Sequence, residues 1–435
     1  MKINKKLLIA AIIFPSICVC EPLSLNQLID TAIKNNTDIK ISKNKLKIRE
    51  FEKKEAIGKF LPSINLEYSK IHQSDIPEMK LTLPGLPLQQ FPLIEKNYYS
   101  IKATLTQPLF TGGYLYYNLK VKDSRKRAET FLVKYKITDI KRKIKQDYYT
   151  LTEAKTAVEI AKSYVAAAKN HLKDAENFYK EGIVPRRDLL EAKVKYHETL
   201  ESLSKAESFY TISLEKLKTD TGTNEIEVKF KKLSYKPLKL NRKQLIEMAY
   251  KGNFLLKASE IGAKGAKYGT KIAYSQFLPK VTLALGYEKT DQYPGIGNFD
   301  ETYGALMVNI PIFEGSQRYW RTLKAKETER EMKLKTTDIK QRLKLGIITS
   351  LSKLKSAENR INTAKTMTEQ ARELLRDSEE RYKAQVGTST EVCDAMAYLT
   401  KAKGTLNSAI ADYYRALADI EYYVGKLPSD NTYQK

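Results

Sequence analysis

The sequence is written twice. Gln27-Leu-Ile-Asp-Thr-Ala-Ile-Lys-Asn-Asn36 returns as Gln244-Leu-Ile-Glu-Met-Ala-Tyr-Lys-Gly-Asn253, and Phe60-Leu-Pro-Ser-Ile64 returns as Phe277-Leu-Pro-Lys-Val281, both 217 residues later. Pro108-Leu-Phe-Thr-Gly112 returns as Pro311-Ile-Phe-Glu-Gly315, Tyr179 as Tyr382, Asp188-Leu-Leu-Glu-Ala192 as Glu391-Val-Cys-Asp-Ala395, and Gly222 as Gly425, all 203 residues later. The 14-residue difference falls between Pro62 and Pro108, where the first copy carries a proline-rich stretch from Ile76 to Pro92. A chain built this way must form the same local structures twice and pack one copy against the other.

Each copy reads as helix, strand, loop, strand, very long helix, tight turn, helix. Ile64, Leu66 and Tyr68 alternate with polar residues, as do Ile101, Ala103 and Leu105, and in the second copy Val281, Leu283, Leu285 and Tyr287, then Gly304, Leu306, Val308 and Ile310. Period two predicts strands with one apolar face. Pro62, Pro108, Pro279 and Pro311 read as strand boundaries, where a missing ladder donor is tolerated. Beyond Gly112-Gly113 the period changes: Ile144, Tyr148, Leu151, Ala154, Val158, Ala161, Val165, Ala168, Leu172, Ala175 and Tyr179 fall three or four apart. Gly113 to Tyr179 is 67 residues, about 100 Å of helix at 1.5 Å per residue. Alanine recurs along these stripes, allowing the close approach of a coiled coil.

The expected organisation is a signal segment over 1–20, a first repeat over 21–222 and a linker over 223–239, followed by a second repeat over 240–425 and a tail over 426–435. In the first repeat we expect a helix over 24–58, strands over 62–71 and 98–108, a long helix over 113–180 and a return helix over 185–221. In the second we expect a helix over 240–275, strands over 279–289 and 302–312, a long helix over 315–383 and a return helix over 389–425.

The N-terminus sets the compartment. Lys2, Lys5 and Lys6 precede the apolar run Leu7 to Phe14, and Cys18-Val19-Cys20 ends it, the pattern of a secretion signal cleaved near Glu21. A bulky residue precedes each cysteine, which disfavours a lipid anchor. Cleavage would leave Cys393 alone, so no internal disulfide is expected. No other apolar stretch approaches the ~20 residues of a spanning helix, so a membrane role must use strands. Export and the scatter of lysine along helices argue against nucleic acid despite the formal charge of +25.

Four strands are too few to close a barrel, whose smallest members use eight, and a bilayer leaves open edges unsatisfied. The subunit must therefore associate. Tyrosines crowd near the strand ends, among them Tyr98, Tyr99, Tyr287 and Tyr303, as an interfacial girdle would. Catalysis has no constellation to build on: His72, His171 and His197 are scattered, no metal spacing occurs, and Cys393 lies among acidic neighbours that disfavour a thiolate. No catalytic, metal or cofactor site is expected.

The duplicated pattern, the Phe-Leu-Pro strand starts at 60–62 and 277–279, the Pro-Leu-Phe-Thr-Gly-Gly exit at 108–113 and the Tyr382-to-Ala395 turn resemble the TolC family of outer-membrane efflux proteins. The resemblance implies a mixed α/β membrane protein: an internally duplicated subunit giving four β-strands to a trimeric 12-stranded outer-membrane β-barrel, continued by a long α-helical coiled-coil periplasmic tunnel. It implies a homotrimer that touches outer-membrane lipid, docks onto a periplasmic adaptor and an inner-membrane RND, ABC or MFS transporter, and serves efflux or type I secretion. The alternative from another class is a structural or adhesive coiled-coil envelope protein without a pore.

The resemblance also places the helix-turn tips at the periplasmic entrance. Glu391 and Asp394 match acids that ring the narrowest opening, with Asp188 and Glu191 as their counterparts in the first copy. A spacing of three puts each pair on one helix face, so a trimer would present six carboxylates from Glu391 and Asp394, favouring cations. Thr388-Ser-Thr-Glu391 is also a capping-box pattern, so helix capping is a second account of the same residues. Gly182, Ile183, Val184, Pro185, Val386, Gly387 and Thr388 are the expected adaptor-docking tips, and Tyr382 is a candidate for the network that holds the entrance.

Overall fold

Asn36 and Asn253 each interrupt a helix that apolar periodicity reads as continuous. The Asn36 side chain accepts hydrogen bonds from the backbone N–H groups of Asp38 at 2.9 Å and Ile39 at 3.3 Å. Asn253 accepts from Leu255 at 3.0 Å and Leu256 at 3.1 Å. An asparagine that satisfies the first N–H groups of a new helix ends the old one. The expected helices over 24–58 and 240–275 are therefore two each: α1 (Leu25–Asn35) and α2 (Thr37–Gly58), then, in the second repeat, α5 (Arg242–Gly252) and α6 (Phe254–Ser275).

The structure, a computed structural model, describes residues 22–238 and 240–425. The signal segment over 1–20 and the tail over 426–435 lie outside the described residues. The remaining elements are β1 (Ser63–His72), β2 (Glu78–Leu81), β3 (Gln89–Pro92), β4 (Asn97–Phe110), α3 (Tyr114–Lys180), α4 (Arg186–Thr221), β5 (Lys280–Thr290), β6 (Phe299–Asn309), α7 (Gln317–Lys383) and α8 (Ser389–Val424). Repeat equivalents have identical helix lengths: 11 residues for α1 and α5, 22 for α2 and α6, 67 for α3 and α7, 36 for α4 and α8.

Three details of the strands depart from the sequence pattern. Pro108 lies inside β4 rather than at its edge, and the β4–β5 register slips between Pro108 and Phe110, the kind of irregularity that accommodates a missing donor. β6 begins at Phe299, which pairs with Thr290, and stops at Asn309 before Pro311, so it is shifted towards the N-terminus of the expected 302–312. The expected loop between the first two strands contains a two-stranded ribbon, β2 with β3.

The main sheet is antiparallel in the order β1-β4-β5-β6, so its two repeats join at the β4–β5 pair. Its registers put Ile64, Leu105, Leu285, Leu66, Leu283 and Leu306 on one face. The opposite face carries a row that crosses all four strands, Glu67–Lys102–Glu288–Glu301. Lys102 pairs with Glu288 at 3.5 Å, and the Tyr303 ring fills the space a side chain at Gly286 would need. Tyr98 and Tyr303 point to this polar face, so only part of the expected girdle, including Tyr99 and Tyr287, stands on the apolar one, where Tyr68 joins it.

The helices form a layer that continues from the sheet. α3 packs against α1, α2, α4, α6 and α8, whereas α7 packs against α5, α6 and α8. Among the described residues, one side of the subunit thus ends in α2, β1 and α4, and the other in β6 and α7. Two equatorial cores hold the layer. One gathers Leu28, Ile39, Ile144, Leu151 and Leu217, and the other Leu245, Ile347, Ile361, Tyr413 and Ile420. The linker between repeats is strapped across them: Tyr148 Oη donates to the Lys229 carbonyl at 3.2 Å and Tyr413 Oη to that of Lys236 at 2.7 Å. No helix of the described residues is long and apolar enough to cross a membrane.

Candidate gate and docking tips

Both long helices end in the same hydrogen-bonded reversal. Ile183 N–H reaches back to the Phe178 carbonyl at 2.8 Å, and Val386 N–H to Arg381 at 3.0 Å. Such a reversal needs one residue in the left-handed region. Gly182 fills it at φ 72° in the first tip, and Gln385 fills it at φ 65° in the second. The glycine missing at 385 therefore leaves a strained residue, not a different turn. Gly387 stands at a close approach instead: a Cβ there would lie 3.0 Å from Arg381 Cβ and 3.1 Å from the Tyr382 backbone nitrogen. Val386 is 68% exposed at the tip.

The return helices start from caps. Pro185 in extended conformation precedes α4, a position where its missing N–H costs nothing. Thr388 Oγ1 accepts from the Glu391 backbone at 3.3 Å, so Thr388 caps α8, which is the first half of the expected capping box; among the described residues no return bond from the Glu391 carboxylate to the Thr388 backbone accompanies it. The Glu391 carboxylate also lies 4.0 Å from Arg381. Asp394, one turn on, is exposed on α8. Glu191 is engaged on both oxygens: Arg187 donates at 2.9 Å and Thr390 of α8 at 2.7 Å. Those donors hold its carboxyl below the usual range, the Thr390 hydroxyl first. Asp188 offers its backbone carbonyl to Ser389 at 3.4 Å.

Sequence reasoning missed the residues that join the two hairpins. His171 of α3 lies 6% exposed, with Nε2 at 2.8 Å from Ser389 Oγ, the first residue of α8, which is fully buried. Burial lowers the His171 pKa from its ordinary value, opposed by Asp174 and Asp188. Tyr382 packs its ring against His171 at 4.9 Å and Phe178 at 5.6 Å, and its hydroxyl is buried. Desolvation raises it to about 12. Tyr382, Val392, Cys393 and Met396 form a small core beneath the tip, with Tyr164 and Phe178 of α3 against it. Burial, more than the acidic neighbours, pushes the Cys393 thiol up to about 11. No signal in the sequence singles out His171, whose counterpart in the second copy is Leu374.

That contrast recurs along the rods. Tyr164 and His171 of α3 pack against α8 within the subunit. Their repeat equivalents on α7, Met367 and Leu374, are 41% and 46% exposed. The α4 equivalents of Cys393 and Ala397 are Leu190 and Val194, and both are exposed as well. Contacts that the first long helix makes inside the chain are thus left unmade by the second.

A family profile described as outer membrane efflux protein matches residues 28–223 and 245–426, covering both repeats. No curated protein matches the chain by sequence. Among solved structures, CusC, described in connection with folding and transmembrane channel formation, aligns with a TM-score of 0.77 at 14% identity, covering 93% of this chain and 92% of that one. The outer membrane protein VceC of Vibrio cholerae aligns with a TM-score of 0.74 at 16% identity, covering 92% and 96%. The Campylobacter jejuni CmeC outer membrane channel aligns with a TM-score of 0.74 at 16% identity, covering 94% and 88%. With both repeats matched and the whole subunit fold shared, this chain belongs to the outer membrane efflux protein family.

Proposed function

We propose that three copies of this chain close into one tube, a 12-stranded outer-membrane barrel continued by a helical tunnel, and that cargo leaves the cell through it passively. The observation that carries the reading is the unmatched surface of the second repeat. Within the subunit β4 pairs with β5 and α3 packs on α6 and α8. By repeat equivalence β6 pairs with β1 of the next copy, and α7 packs on that copy's α2 and α4. Both open edges are then used and every bilayer-facing ladder is closed. Covering Met367, Leu374, Leu190 and Val194 stabilises the assembly by ~1.5–3 kcal/mol per fully buried large apolar side chain.

In this assembly the apolar sheet face meets lipid and the polar face lines the bore. The tips form the inner entrance, where Glu391 and Asp394 ring the opening and favour cations. Asp188 and Glu191 support that ring from α4, and Tyr382 anchors the hairpin behind it. The exposed tip residues Ile183 and Val386, with Gly182, Val184, Pro185, Gly387 and Thr388 shaping the turns, meet a periplasmic adaptor. An inner-membrane transporter of the RND, ABC or MFS class supplies the energy, since the channel has none of its own, and type I secretion is the variant in which the cargo is a protein. Residues 1–20 direct export and are removed. A rod-only envelope protein has no use for a four-stranded sheet with two open edges.

The test is extraction in mild detergent. The unheated protein is expected to migrate at three times the subunit mass, collapse to one subunit on boiling, and conduct ions in a planar bilayer. A monomer without conductance refutes the reading.

A further inference from the structure

The linker between the repeats carries a charge that neither the fold nor the channel reading uses. From Lys229 to Lys243, seven of fifteen residues are Lys or Arg and none is Asp or Glu, whereas the whole chain has 76 such cations in 435 residues. The apolar side chains of this strap face inward, Phe230 on the first equatorial core and Tyr235, Leu238 and Leu240 on the second. Lys229, Lys232, Lys236, Arg242 and Lys243 are exposed, and among the described residues none of their charged groups meets a carboxylate. Lysines on the helices behave differently: Lys53, Lys122 and Lys136 each pair with a carboxylate of a neighbouring helix. Two more cations border the strap, Lys155 over the Phe230 ring at 4.2 Å and Lys365 over Tyr235 at 5.5 Å. Arg242 and Lys243 open α5, at the end of a helix whose dipole disfavours cations. Like charges crowded this way weaken the compact state, so the fold alone gives no reason for them.

The strap stands on the outside of the tube. The Asn36 side chain donates to the Asp220 carbonyl at 2.8 Å, so α4 ends where α2 begins. Gly252 and the Val424 carbonyl make the same junction between α8 and α6. Each subunit thus contributes four continuous tracks, α3, α7 and the two stacked pairs, and α1, α5 and the linker lie over them. Twelve tracks at ~10 Å spacing, each helix ~10 Å across, leave a bore of roughly 14 Å radius. The α1 and α5 helices of three copies would fill it, so in a conduit they and the strap lie outside. Tyr148 fixes the height, since its hydroxyl bonds the Lys229 carbonyl and the Lys231 N–H. It sits midway along α3, roughly 50 Å from either end at 1.5 Å per residue. Exposed charges act over only ~8 Å at physiological salt, so neither lipid headgroups nor a partner confined to the tips is within reach.

We propose that the strap is a docking belt for the cell wall, the cross-linked glycan that a tube crossing the periplasm must pass, and that its cations hold the free carboxylates of the wall's peptide stems. This rests on the trimeric conduit reading, which puts the strap outside and brings three straps to one height. A single exposed ion pair contributes little. A belt repeated round the trimer meets a polymer with many carboxylates at once, and the weak contacts combine as avidity. The tube is then held upright in the periplasm by contacts separate from the barrel and the tips.

The test uses the detergent-extracted trimer and purified cell-wall sacculi stripped of protein. The parent is expected to co-sediment with sacculi at low ionic strength and to be released at high. Lys229→Gln, Lys232→Gln, Lys236→Gln and Lys243→Gln together are expected to weaken that binding at least tenfold, with trimer size and conductance unchanged. Sacculi whose carboxylates have been amidated are expected not to bind the parent. A parent that stays in solution, equal sedimentation of parent and variant, or undiminished binding to amidated sacculi overturns the wall contact and leaves the tube standing. A parent that runs as a monomer without conductance refutes the tube, and the belt with it, before any sacculus is added.

Discussion

His171 Nε2 and Ser389 Oγ stand 2.8 Å apart although 218 positions separate them in the chain. The bond locks the first helical hairpin to the start of the second return helix, beside the hairpin tips. Burial holds His171 below its ordinary pKa, so the neutral ring contributes stability that is fully present above the unfolded value of about 6.5 and is lost as pH falls through the folded value. Asp174 and Asp188 face the ring and oppose the shift, and the Tyr382 ring covers its other side. Acidification from pH 7.5 to 5 is expected to loosen the tip, read as faster hydrogen–deuterium exchange of the backbone amides of residues 383–393 relative to their intrinsic rates at each pH. His171→Gln should keep a donor towards Ser389 and flatten that pH dependence. An unchanged slope in the variant contradicts the assignment.

Cys393 offers an independent gauge of the same core. Its thiol is buried beneath Tyr382 and raised to about 11, so at pH 8 well under a hundredth is thiolate. Iodoacetamide is expected to leave the folded protein unlabelled over an hour and to label it fully in denaturant. Rapid labelling of the native protein at pH 8 would contradict the packing.

Asp147 makes a prediction with the opposite sign. Its carboxyl is buried in the first equatorial core, 2.8 Å from Lys216, and burial together with Asp220 raises it to about 6. The proton is held more tightly folded than unfolded, so this stabilisation is full below about 3.9 and is lost as pH rises through about 6. Asp147→Asn is expected to unfold at higher denaturant than the parent at pH 8, by roughly 1–3 kcal/mol, with the gap closing at pH 4. A variant that is less stable at both pH values would show that the Lys216 ion pair outweighs the burial.

At the tips, a charge at Gly387 is expected to abolish export. The cause is now specific: even a methyl group meets Arg381 and the Tyr382 backbone at 3.0–3.1 Å, so the turn itself must shift. Val386→Glu separates docking from folding, because that side chain is exposed. It is expected to leave trimers and their melting unchanged while reducing export at least tenfold. Wild-type export by Val386→Glu would remove the tip from the docking surface.

Much of this fold is legible in the sequence because the gene duplication doubles each weak signal. A period-two strand beside Pro62 is modest on its own, but its return beside Pro279 fixes both. What was not legible depends on single polar atoms. Asn36 and Asn253 sit within apolar spacing that runs smoothly past them, so only the side-chain oxygens that cap α2 and α6 reveal the breaks. The β2–β3 ribbon was hidden by its prolines, which read as loop although Pro92 takes the last ribbon position. The acids at the tips were legible as types and spacing, whereas the His171–Ser389 bond was not, since its partners share no motif and His171 has Leu374 for a counterpart. Contacts between distant segments leave a trace in sequence only where both repeats make them.

The account depends most on the claim that the second repeat pairs with the first repeat of another copy. Within the chain Leu105 of β4 lies opposite Leu285 of β5, and repeat equivalence maps that pair onto Val308 of one copy and Tyr68 of the next. The decisive measurement is oxidation of Tyr68→Cys with Val308→Cys in a Cys393→Ala background, followed by denaturing electrophoresis without reductant. The account predicts covalent species up to a trimer, and no cross-link in either single variant. A protein that stays monomeric after oxidation, while its folded form and surface expression match the parent, would contradict it.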